Sequence, residues 1–404
     1  MNADDPVVSG MGPVLAWVLE RSHDASAGEL PVLIDEAARR MGAAGARVYV
    51  ADVQQAGLVM LPLREGAGPV SETSAEGDGG RLAVDGSLAG LAYRTQRVQL
   101  GNDGTAWLPM IDGIERVGVM EAGPGPDPGR LESCKALASL ATLLVISKST
   151  HNDLLVARGR SRPMTLQAEL LWAFLPPRSI GTREATSTAV LEPAYDIGGD
   201  AFDHGFTDGR LHLALLDAMG HDLASGGASA VGLAACRSTR RSGGTLPDIA
   251  RTIDRTLAEW IPNRLMTGII ADLDTVRGEF TWVNCGHPAP LLIRDGHVLT
   301  AALERPAQLP LGFGFHTELP PVPHSTRLEP GDRVLLYSDG VTEARSTDHQ
   351  QFGEARLADT IIRSMAAGDP APEALRRLIE NLLTHQNRLD DDATILLAEW
   401  HPSS

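Results

Sequence analysis

The sequence predicts an α+β protein with more than one domain. Its 404 residues exceed what one hydrophobic core ordinarily organises, and 43% of them are hydrophobic, as in globular proteins. Stretches with helical spacing and stretches with strand-like alternation follow one another along the chain. We expect a first domain over residues 1–148, a helical linker over 149–180 and a second domain over 181–404.

The first domain alternates between helical and strand-like patterns. Residues 28–42 (GELPVLIDEAARRMG) carry apolar residues at helical spacing, whereas 46–53 (ARVYVADV) alternate as a strand does. Residues 87–96 again predict a helix, and 115–122 predict a strand. A helix around 132–150 closes the domain, and its apolar run is too short to cross a bilayer.

The linker contains TLQAELLWAFLPPRSI, residues 165–180. The apolar residues Leu166, Leu170, Leu171, Phe174 and Leu175 repeat at helical spacing, and the Pro-Pro pair that follows stops the helix. We favour a signalling helix that pairs with its copy in a homodimer. Packing of this helix on one of the chain's own domains is the alternative.

Composition excludes several classes of function. A net charge of −17 leaves no excess of cations to neutralise phosphates, so we expect no nucleic-acid partner. Cys134, Cys236 and Cys285 are far apart and form no CxxC pair, which argues against a disulfide framework or a zinc site. They fit a reducing compartment, and no signal peptide is visible, so we expect a cytoplasmic protein without membrane contact.

Four aspartate-bearing corners recur in the second domain. Asp217 directly ends the alternating run RLHLALL, and Asp339 follows the strand-like VLLY. Asp200 follows the strand-like TSTAVLEPAY, and residues 390–392, all aspartates, precede the strand-like TILLAEW. Each aspartate alone would be read as a turn or a cap. Their repeated position at strand ends is what indicates a shared site.

The first corner lies in LEPAYDIGGDAFDHGF, residues 191–206. Gly198 and Gly199 allow backbone angles or close approaches that a Cβ would forbid. We expect a tightly folded corner that presents both Asp200 and Asp203. An ordinary turn is the alternative, because Gly and Asp both mark turns.

Clustered carboxylates need protons or cations, and hard divalent ions are their usual partners. An all-oxygen site favours Mg²⁺ or Mn²⁺ over zinc. Two such ions can activate a water and polarise a phosphoryl oxygen. The pattern therefore predicts a metal-assisted hydrolase of phosphate esters, without choosing the ester.

Six motifs occur in a fixed order in the C-terminal part: GGDAFD, LLDAMGHD, WVNCGHPAPLLIRDG, PLGFG, LEPGDRVLLYSDGVTEAR and DDATILL. Together they resemble the SpoIIE/RsbU-type branch of the metal-dependent protein phosphatases, the PPM superfamily, over nearly all of 166–400. The resemblance implies an α/β/β/α sandwich of two antiparallel sheets flanked by helices. It also implies two metal ions, Mn²⁺ or Mg²⁺, at one end of the sandwich.

The resemblance further implies a ligand set. Asp217 would bridge the two ions, and the backbone carbonyl of Ala218 would join it on one of them. Asp200 would bind that same ion, directly or through water. Asp339 and Asp391 would hold the other ion.

Asp391 is preferred because the family's ligand stands three residues before the threonine, here Thr394. Asp390 and Asp392 would then add negative potential beside it. Two residues depart from the family pattern. Asp222 stands where a glycine follows the GH pair, and Ala201 is small where an aromatic is common. Neither departure removes an implied ligand.

The activity implied by the resemblance is hydrolysis of phosphoserine or phosphothreonine on a partner protein, by direct attack of a metal-bridging hydroxide. The implied partner is a phosphorylated STAS-type anti-sigma-factor antagonist, and the output is control of a sigma factor. A phosphoprotein-binding scaffold and a metal-dependent hydrolase of small phosphoesters remain as alternatives. The lack of an evident lysine-bearing phosphate loop argues against the latter.

The first domain resembles a GAF-type sensor through its element order and the stretch AWLPMIDGIERVGVM. The resemblance implies an unknown small ligand or signal. A domain that only mediates dimerisation is the alternative. We expect the sensor and linker to set how well the metal site is assembled.

Several other residues have two interpretations. His221 is a candidate catalytic proton donor to the leaving group, and a structural hydrogen bond is the alternative. Cys285 and His287 in VNCGHPAP fit a strand-ending turn better than a nucleophile pair, because no third orienting group is evident. Trp282 is expected in the core.

The remaining patterns are local. The arginines of CRSTRRSGG, residues 236–244, are expected to end a helix at the solvent, with substrate docking by Arg237, Arg240 or Arg241 as the minority alternative. Asp208-Gly209 and Asp295-Gly296 predict hairpin turns.

Overall fold

The computed structural model describes residues 10–63, 80–123, 128–306, 308–386, 389 and 391–402. The chain divides between Pro163 and Met164 into two compact units, each with its own sheet structure and hydrophobic core. This division falls inside the stretch 149–180 that the sequence predicts as a linker. Asp390, one of the three consecutive acids, lies outside the described residues.

The N-terminal unit is built on a six-stranded antiparallel sheet with the strand order β3-β2-β1-β6-β5-β4. Its described helices are α1 (Met11–Asp24), α2 (Leu30–Arg40), α3 (Leu88–Thr95), α4 (Pro128–Ser149) and α5 (Asp153–Arg158). The strands are β1 (Ala46–Ala51), β2 (Gly57–Met60), β3 (Arg81–Ala83), β4 (Gln99–Leu100), β5 (Ala106–Asp112) and β6 (Glu115–Ala122).

Both faces of this sheet are packed. Ile34 of α2 and Leu137 of α4 share a buried cluster with Val48 of β1. Tyr93 of α3 lies in a second cluster with Tyr49 of β1. The predicted helices over 28–42, 87–96 and 132–150 are confirmed, because their apolar stripes lie against the sheet. Among the helices that the structure describes, none is long and apolar enough to cross a membrane.

The C-terminal unit contains two antiparallel sheets, ordered β15-β12-β11-β10-β9 and β14-β13-β16-β17-β8-β7. The strands are β7 (Ser179–Gly181), β8 (Ala185–Glu192), β9 (Asp200–Thr207), β10 (Arg210–Ala218), β11 (Met266–Asp274), β12 (Glu279–Cys285), β13 (Leu291–Arg294), β14 (His297–Val298), β15 (His324–Arg327), β16 (Arg333–Tyr337) and β17 (Ala393–Trp400). The described helices are α6 (Leu166–Phe174), α7 (Leu223–Arg241), α8 (Leu246–Trp260), α9 (Asp339–Thr342), α10 (Gly353–Ala366) and α11 (Ala371–His385).

Alternation along β17 explains the layers. Leu396 lies in a core shared by both sheets and by α7 and α8. Its neighbours Ile395 and Leu397 face the opposite way, into a cluster with α10 and α11. The predicted fold class, two antiparallel sheets flanked by helices, is confirmed.

Helix α6 packs within the C-terminal unit. Ala168 and Leu171 are buried in its core, and the indole nitrogen of Trp172 donates to the carbonyl of Ala194 at 2.8 Å. The helix ends at Phe174, and its C-cap Leu175 precedes the Pro-Pro pair that was predicted to stop it. Packing on one of the chain's own domains, the alternative to a dimerising helix, therefore accounts for one face of α6. Leu166 on the helix remains exposed.

Both predicted hairpin turns are present. Asp208 and Gly209 connect β9 to β10, and Gly209 has a φ of 69°. Asp295 and Gly296 connect β13 to β14 with φ values of 50° and 73°. Two successive positive φ angles are the geometry that Asp-Gly and Asn-Gly hairpins favour.

Candidate metal centre

Asp200 and Asp217 face each other across the hairpin of β9 and β10. The strand register pairs the two residues directly, at the opposite end of the hairpin from its turn. Directly opposed residues on antiparallel strands have Cβ atoms about 4.5–5.5 Å apart. Asp200 is buried and Asp217 is partly buried. The structure thus brings two of the predicted site residues to one edge.

Asp339 and Asp391 are brought together by the other sheet. They flank the paired strands β16 and β17, Asp339 after the first and Asp391 before the second. The amide of Ser338 donates to the carbonyl of Thr394 at 2.9 Å, and the amide of Thr394 donates to the Ser338 hydroxyl at 2.9 Å. Asp339 and Asp391 are exposed, so this side of the cluster is open to solvent.

The carboxylate of Asp392 joins the two sheets at this end. It accepts hydrogen bonds from the backbone amides of Gly198, Gly199 and Asp200, with shortest distances of 2.8, 2.7 and 3.0 Å. Because β17 starts directly after Asp392 and β9 starts at Asp200, these bonds hold the two pairs of carboxylates at one edge.

The carboxylates act on one another. Burial and the charges of Asp217 and Asp392 raise the pKa of Asp200 well above its usual range. Burial and the charges of Asp339, Asp391 and Asp392 raise the pKa of Asp217 to about 7. Partial burial and the charge of Asp391 likewise raise the pKa of Asp339. Each of these shifts reports a charged group that a nearby cation would stabilise.

The donor set fits a hard divalent cation. One carboxylate oxygen of Asp200, Oδ2, is buried and has no hydrogen-bond partner within the described part of the chain. A buried polar atom without a partner is costly, and a metal ion is one way to satisfy it. Carboxylate oxygens are the ligands that Mg²⁺ and Mn²⁺ prefer.

The two glycines before Asp200 are required by close approach. A Cβ on Gly199 would lie 2.0 Å from the carbonyl oxygen of Ala218, and a Cβ on Gly198 would lie 2.6 Å from the Cα of His221. Only glycine lets the chain lie this close to the end of β10. The expectation of a tight corner is therefore confirmed for Asp200, with close approach rather than a simple turn as its cause.

The expectation is wrong for Asp203. Strand β9 already begins at Asp200, and residues three apart in a strand point to opposite faces. Asp203 faces α7, where Arg237 Nη2 donates to its Oδ1 at 2.6 Å and Arg240 Nη1 donates to its Oδ2 at 2.8 Å. The stretch 236–244 does end α7, and Arg241 is exposed as predicted, but Arg237 and Arg240 turn to Asp203.

Asp203 also belongs to a buried group with His212 and Cys236 whose ligand atoms lie within 4.8 Å of one another. His212 Nδ1 lies 3.0 Å from Asp272, and its Nε2 lies 3.4 Å from the Cys236 sulfur. Burial and the charge of Asp203 raise the pKa of the Cys236 thiol to about 12. Because guanidinium groups already occupy both oxygens of Asp203, this group is a structural ion-pair cluster.

Asp222 is the N-cap of α7. Its Oδ1 accepts from the amide of Ser225 at 2.9 Å, and its Oδ2 accepts from Arg264 Nη2 at 2.7 Å. These bonds, that of Ser225 first, lower the pKa of Asp222. Arg264 also donates to the carbonyl of Met219 at 3.2 Å, so the ion pair fastens the loop that follows Asp217. His221 lies exposed on that loop.

Cys285 and His287 form a strand-ending turn, as expected. Gly286 between them has a φ of 76°. His287 Nδ1 lies 2.9 Å from the Thr267 hydroxyl, and burial lowers the pKa of His287 to about 4. Burial raises the pKa of Cys285 to about 12, which suits an inert thiol. Trp282 is fully buried, as predicted.

Sequence reasoning missed the contacts of two residues. Asp392 was expected only to add negative potential, and Arg264 was not singled out. The run of three aspartates signalled an acidic corner, but no local pattern distinguishes the residue that accepts backbone hydrogen bonds from its neighbours.

Residues 207–401 match the family model described as Stage II sporulation protein E (SpoIIE). Protein IcfG from Synechocystis sp. is 27% identical over 229 residues, which are 48% of this chain and 34% of that protein. The chain thus spans about a third of the length of this curated relative.

Solved structures give weaker likenesses. The RsbU and RsbW domains of Rv1364c from Mycobacterium tuberculosis are 26% identical, with 55% of this chain and 62% of that chain covered and a TM-score of 0.47. The SiaA-PP2C domain of Pseudomonas aeruginosa is 20% identical, with 58% and 94% covered and a TM-score of 0.49. The PP2C phosphatase domain of SpoIIE from Bacillus subtilis, with a fragment of its regulatory domain, is 17% identical, with 55% and 66% covered and a TM-score of 0.46.

The family match covers Asp217, Asp339 and Asp391 and most of the ordered motifs. Residues 207–401 are therefore similar to the SpoIIE family.

Proposed function

We propose that the C-terminal domain is a protein serine/threonine phosphatase that hydrolyses phosphoserine or phosphothreonine on a partner protein with the help of two divalent ions. The observation that carries this proposal is the single edge at which Asp200, Asp217, Asp339 and Asp391 meet, each pair contributed by one sheet. The exposure of Asp339 and Asp391 supports a protein-borne substrate, because a side chain on a folded partner can reach an open edge.

We assign the ligands as follows. Asp200, Asp217 and the Ala218 carbonyl would hold one ion, and Asp217, Asp339 and Asp391 would hold the other. When bound, such ions supply an activated water for direct attack on phosphorus and neutralise the phosphoryl oxygens, so that no phosphoenzyme is needed. Mn²⁺ and Mg²⁺ both suit this all-oxygen set.

His221 is proposed as the proton donor to the departing serine or threonine oxygen. It lies on the exposed loop four residues after Asp217, beside Gly198. General acid catalysis contributes about 10²–10⁴-fold when the leaving group is poor. His221→Gln should therefore slow hydrolysis of a phosphoserine peptide strongly and hydrolysis of p-nitrophenyl phosphate little. Equal loss on both substrates would contradict proton donation.

The partner is proposed to be a phosphorylated STAS-type anti-sigma-factor antagonist, with sigma-factor control as the output. Likeness to the SpoIIE family supports this choice. The N-terminal unit, GAF-like by its sequence, is proposed as the sensor that regulates the phosphatase through a small ligand or signal. Phosphate release by residues 164–404, compared with the full chain, tests the coupling, and equal rates would contradict it.

The decisive experiment measures phosphate release from p-nitrophenyl phosphate and from a phosphoserine peptide by the full chain. Release should require Mn²⁺ or Mg²⁺, stop with EDTA, and collapse in Asp217→Asn. Asp208→Asn, a matched charge change at the hairpin turn, should behave as the wild type. Binding of Mn²⁺ without any hydrolysis would instead favour a phosphoprotein-binding scaffold. Hydrolysis restricted to small phosphoesters would favour the other alternative.

A further inference from the structure

Asp392 is an acid that the ligand assignment leaves unused. It is only 7% exposed and stands next to Asp391, whose Oδ1 accepts the backbone amide of Asp392 at 2.9 Å. Its own carboxylate receives the successive amides of Gly198, Gly199 and Asp200. A residue near the C-terminus thereby holds the segment that opens β9.

These bonds occupy one oxygen of the Asp392 carboxylate fully. Its Oδ2 accepts all three amides, at 2.8, 2.7 and 3.0 Å, and its Oδ1 lies 3.1 Å from the amide of Gly198. An oxygen with three donors has no lone pair free for a cation. Three convergent amides form an anion-binding concavity of the kind that elsewhere holds phosphate, and here the occupant is the chain's own carboxylate.

The hydrogen bonds of Asp392 determine the backbone position of Asp200. The side chains of Thr394 and Ser338 lie close to the Asp200 carboxyl group, and its buried Oδ2 has no hydrogen-bond partner within the described residues. Gly199 lies against the Ala218 carbonyl, so the same backbone segment sets the distance between Asp200 and that carbonyl.

We propose that Asp392 is a positioning residue, which holds Asp200 and the Ala218 carbonyl in register for one of the two divalent ions. This inference rests on the proposed function. Asp392 acts in two separable ways. Its hydrogen bonds position the backbone of Asp200, and its negative charge strengthens the attraction of the edge for cations.

Two variants separate these effects in the full chain. Asp392→Asn keeps an acceptor oxygen for the three amides but removes the charge, whereas Asp392→Ala removes both. Calorimetric titration with Mn²⁺ should give two bound ions for the wild type and for Asp392→Asn, with affinity in Asp392→Asn about 10-fold lower. Asp392→Ala should lose about 100-fold at one of the two ions, the upper end of the range for residues that orient ligands.

Asp208→Asn is the matched control. It removes one charge at the turn of the β9–β10 hairpin, at the opposite end from Asp200 and Asp217. It should bind both ions as the wild type does. Saturating Mn²⁺ should restore kcat in Asp392→Asn, because only metal affinity is impaired. Amide hydrogen exchange without metal supplies an independent readout. The amides of Gly199 and Asp200 should be protected in the wild type and in Asp392→Asn, and should exchange faster in Asp392→Ala.

The outcomes are distinct. Wild-type Mn²⁺ affinity in both Asp392 variants, or equal losses in Asn and Ala, would overturn the positioning role. If Asp392→Ala does not fold, unprotected Gly199 and Asp200 amides in folded Asp392→Asn would also overturn it, because that variant retains the acceptor. Failure of the wild type itself to bind Mn²⁺ would instead contradict the proposed function.

Discussion

Asp200 and Asp203 stand three residues apart in one strand, are both almost completely buried, and have opposite surroundings. Asp203 receives Arg237 and Arg240 and is neutralised within the fold. Asp200 faces the carboxylates of Asp217 and Asp392 and the side chains of Thr394 and Ser338, and its Oδ2 has no hydrogen-bond partner among the described residues. Burial alone therefore does not distinguish a ligand from a structural acid. The charge of the groups that face a buried aspartate distinguishes a metal ligand from a structural acid.

The largest expected contrast is in metal affinity. Asp200→Asn removes a proposed ligand, and Mn²⁺ affinity should fall by at least the roughly 100-fold that loss of an orienting partner can cost. Asp203→Asn should bind Mn²⁺ as the wild type does, because its carboxylate faces α7 and not the metal edge. Isothermal titration of the two variants measures this contrast. Similar losses in both would erase the distinction between the two aspartates.

The order of the two variants should reverse when the free energy of unfolding is measured, with Asp203→Asn the more strongly affected. Asp203→Asn leaves two partly buried guanidinium groups without their counter-charge and should lower the free energy of unfolding by about 3 kcal/mol. Asp200→Asn replaces a crowded carboxylate by a neutral group and should leave the metal-free protein as stable as before or more so. Urea unfolding in EDTA provides the measurement. A loss in Asp200→Asn as large as that in Asp203→Asn would show that Asp200 has a stabilising partner.

A third expected effect is the pH dependence of the metal-free protein. The pKa of Asp217 is raised in the folded state to about 7 from 3.8. The folded state therefore binds more protons than the unfolded state between these values, so this group lowers stability as pH rises from 3.8 towards 7, and its effect levels off above 7. Between pH 6 and pH 8 this amounts to about 1 kcal/mol for one such group.

Unfolding in EDTA at pH 6, 7 and 8 tests this sign. His204 and His287, whose pKa burial lowers to about 4, add stability as pH rises in the wild type and in Asp217→Asn alike. The wild type should therefore lose about 1 kcal/mol relative to Asp217→Asn between pH 6 and pH 8, and saturating Mn²⁺ should remove this relative loss because the cation neutralises the same charge. An equal pH dependence in the two proteins would contradict the raised pKa.

The same comparison explains how far sequence reasoning reaches. The strand that ends in Asp217 is readable because alternation and an acid at its end are local signals, and the glycines before Asp200 mark a close approach. The surroundings of Asp203 are not readable, because the face on which it lies depends on where β9 starts and on which residues α7 places opposite. Contacts between residues distant in sequence decide its role.

Asp392 illustrates the same limit more strongly. Its three hydrogen-bond donors are about half a chain away, in the segment before β9. The pattern DDATILL places an acid beside a strand, but three neighbouring aspartates look alike until the two sheets are brought together. The shared edge was predictable from strand ends, whereas the residue that fastens it depended on tertiary packing.

The smallest expected effect concerns Asp222, an exposed aspartate with partners on both oxygens. Asp222→Ala should lower the unfolding midpoint more than Asp222→Asn, because Asn still caps α7 and loses only an exposed ion pair. Asp222→Gly should resemble Asn, since glycine is a tolerated N-cap. Thermal unfolding of the three variants ranks them, and Mn²⁺ titration should find affinity unchanged in each. A fall in Mn²⁺ affinity in Asp222→Asn would show that this acid contributes to metal binding, as proposed for Asp200. It would then differ from Asp203, whose charge is neutralised by an internal ion pair.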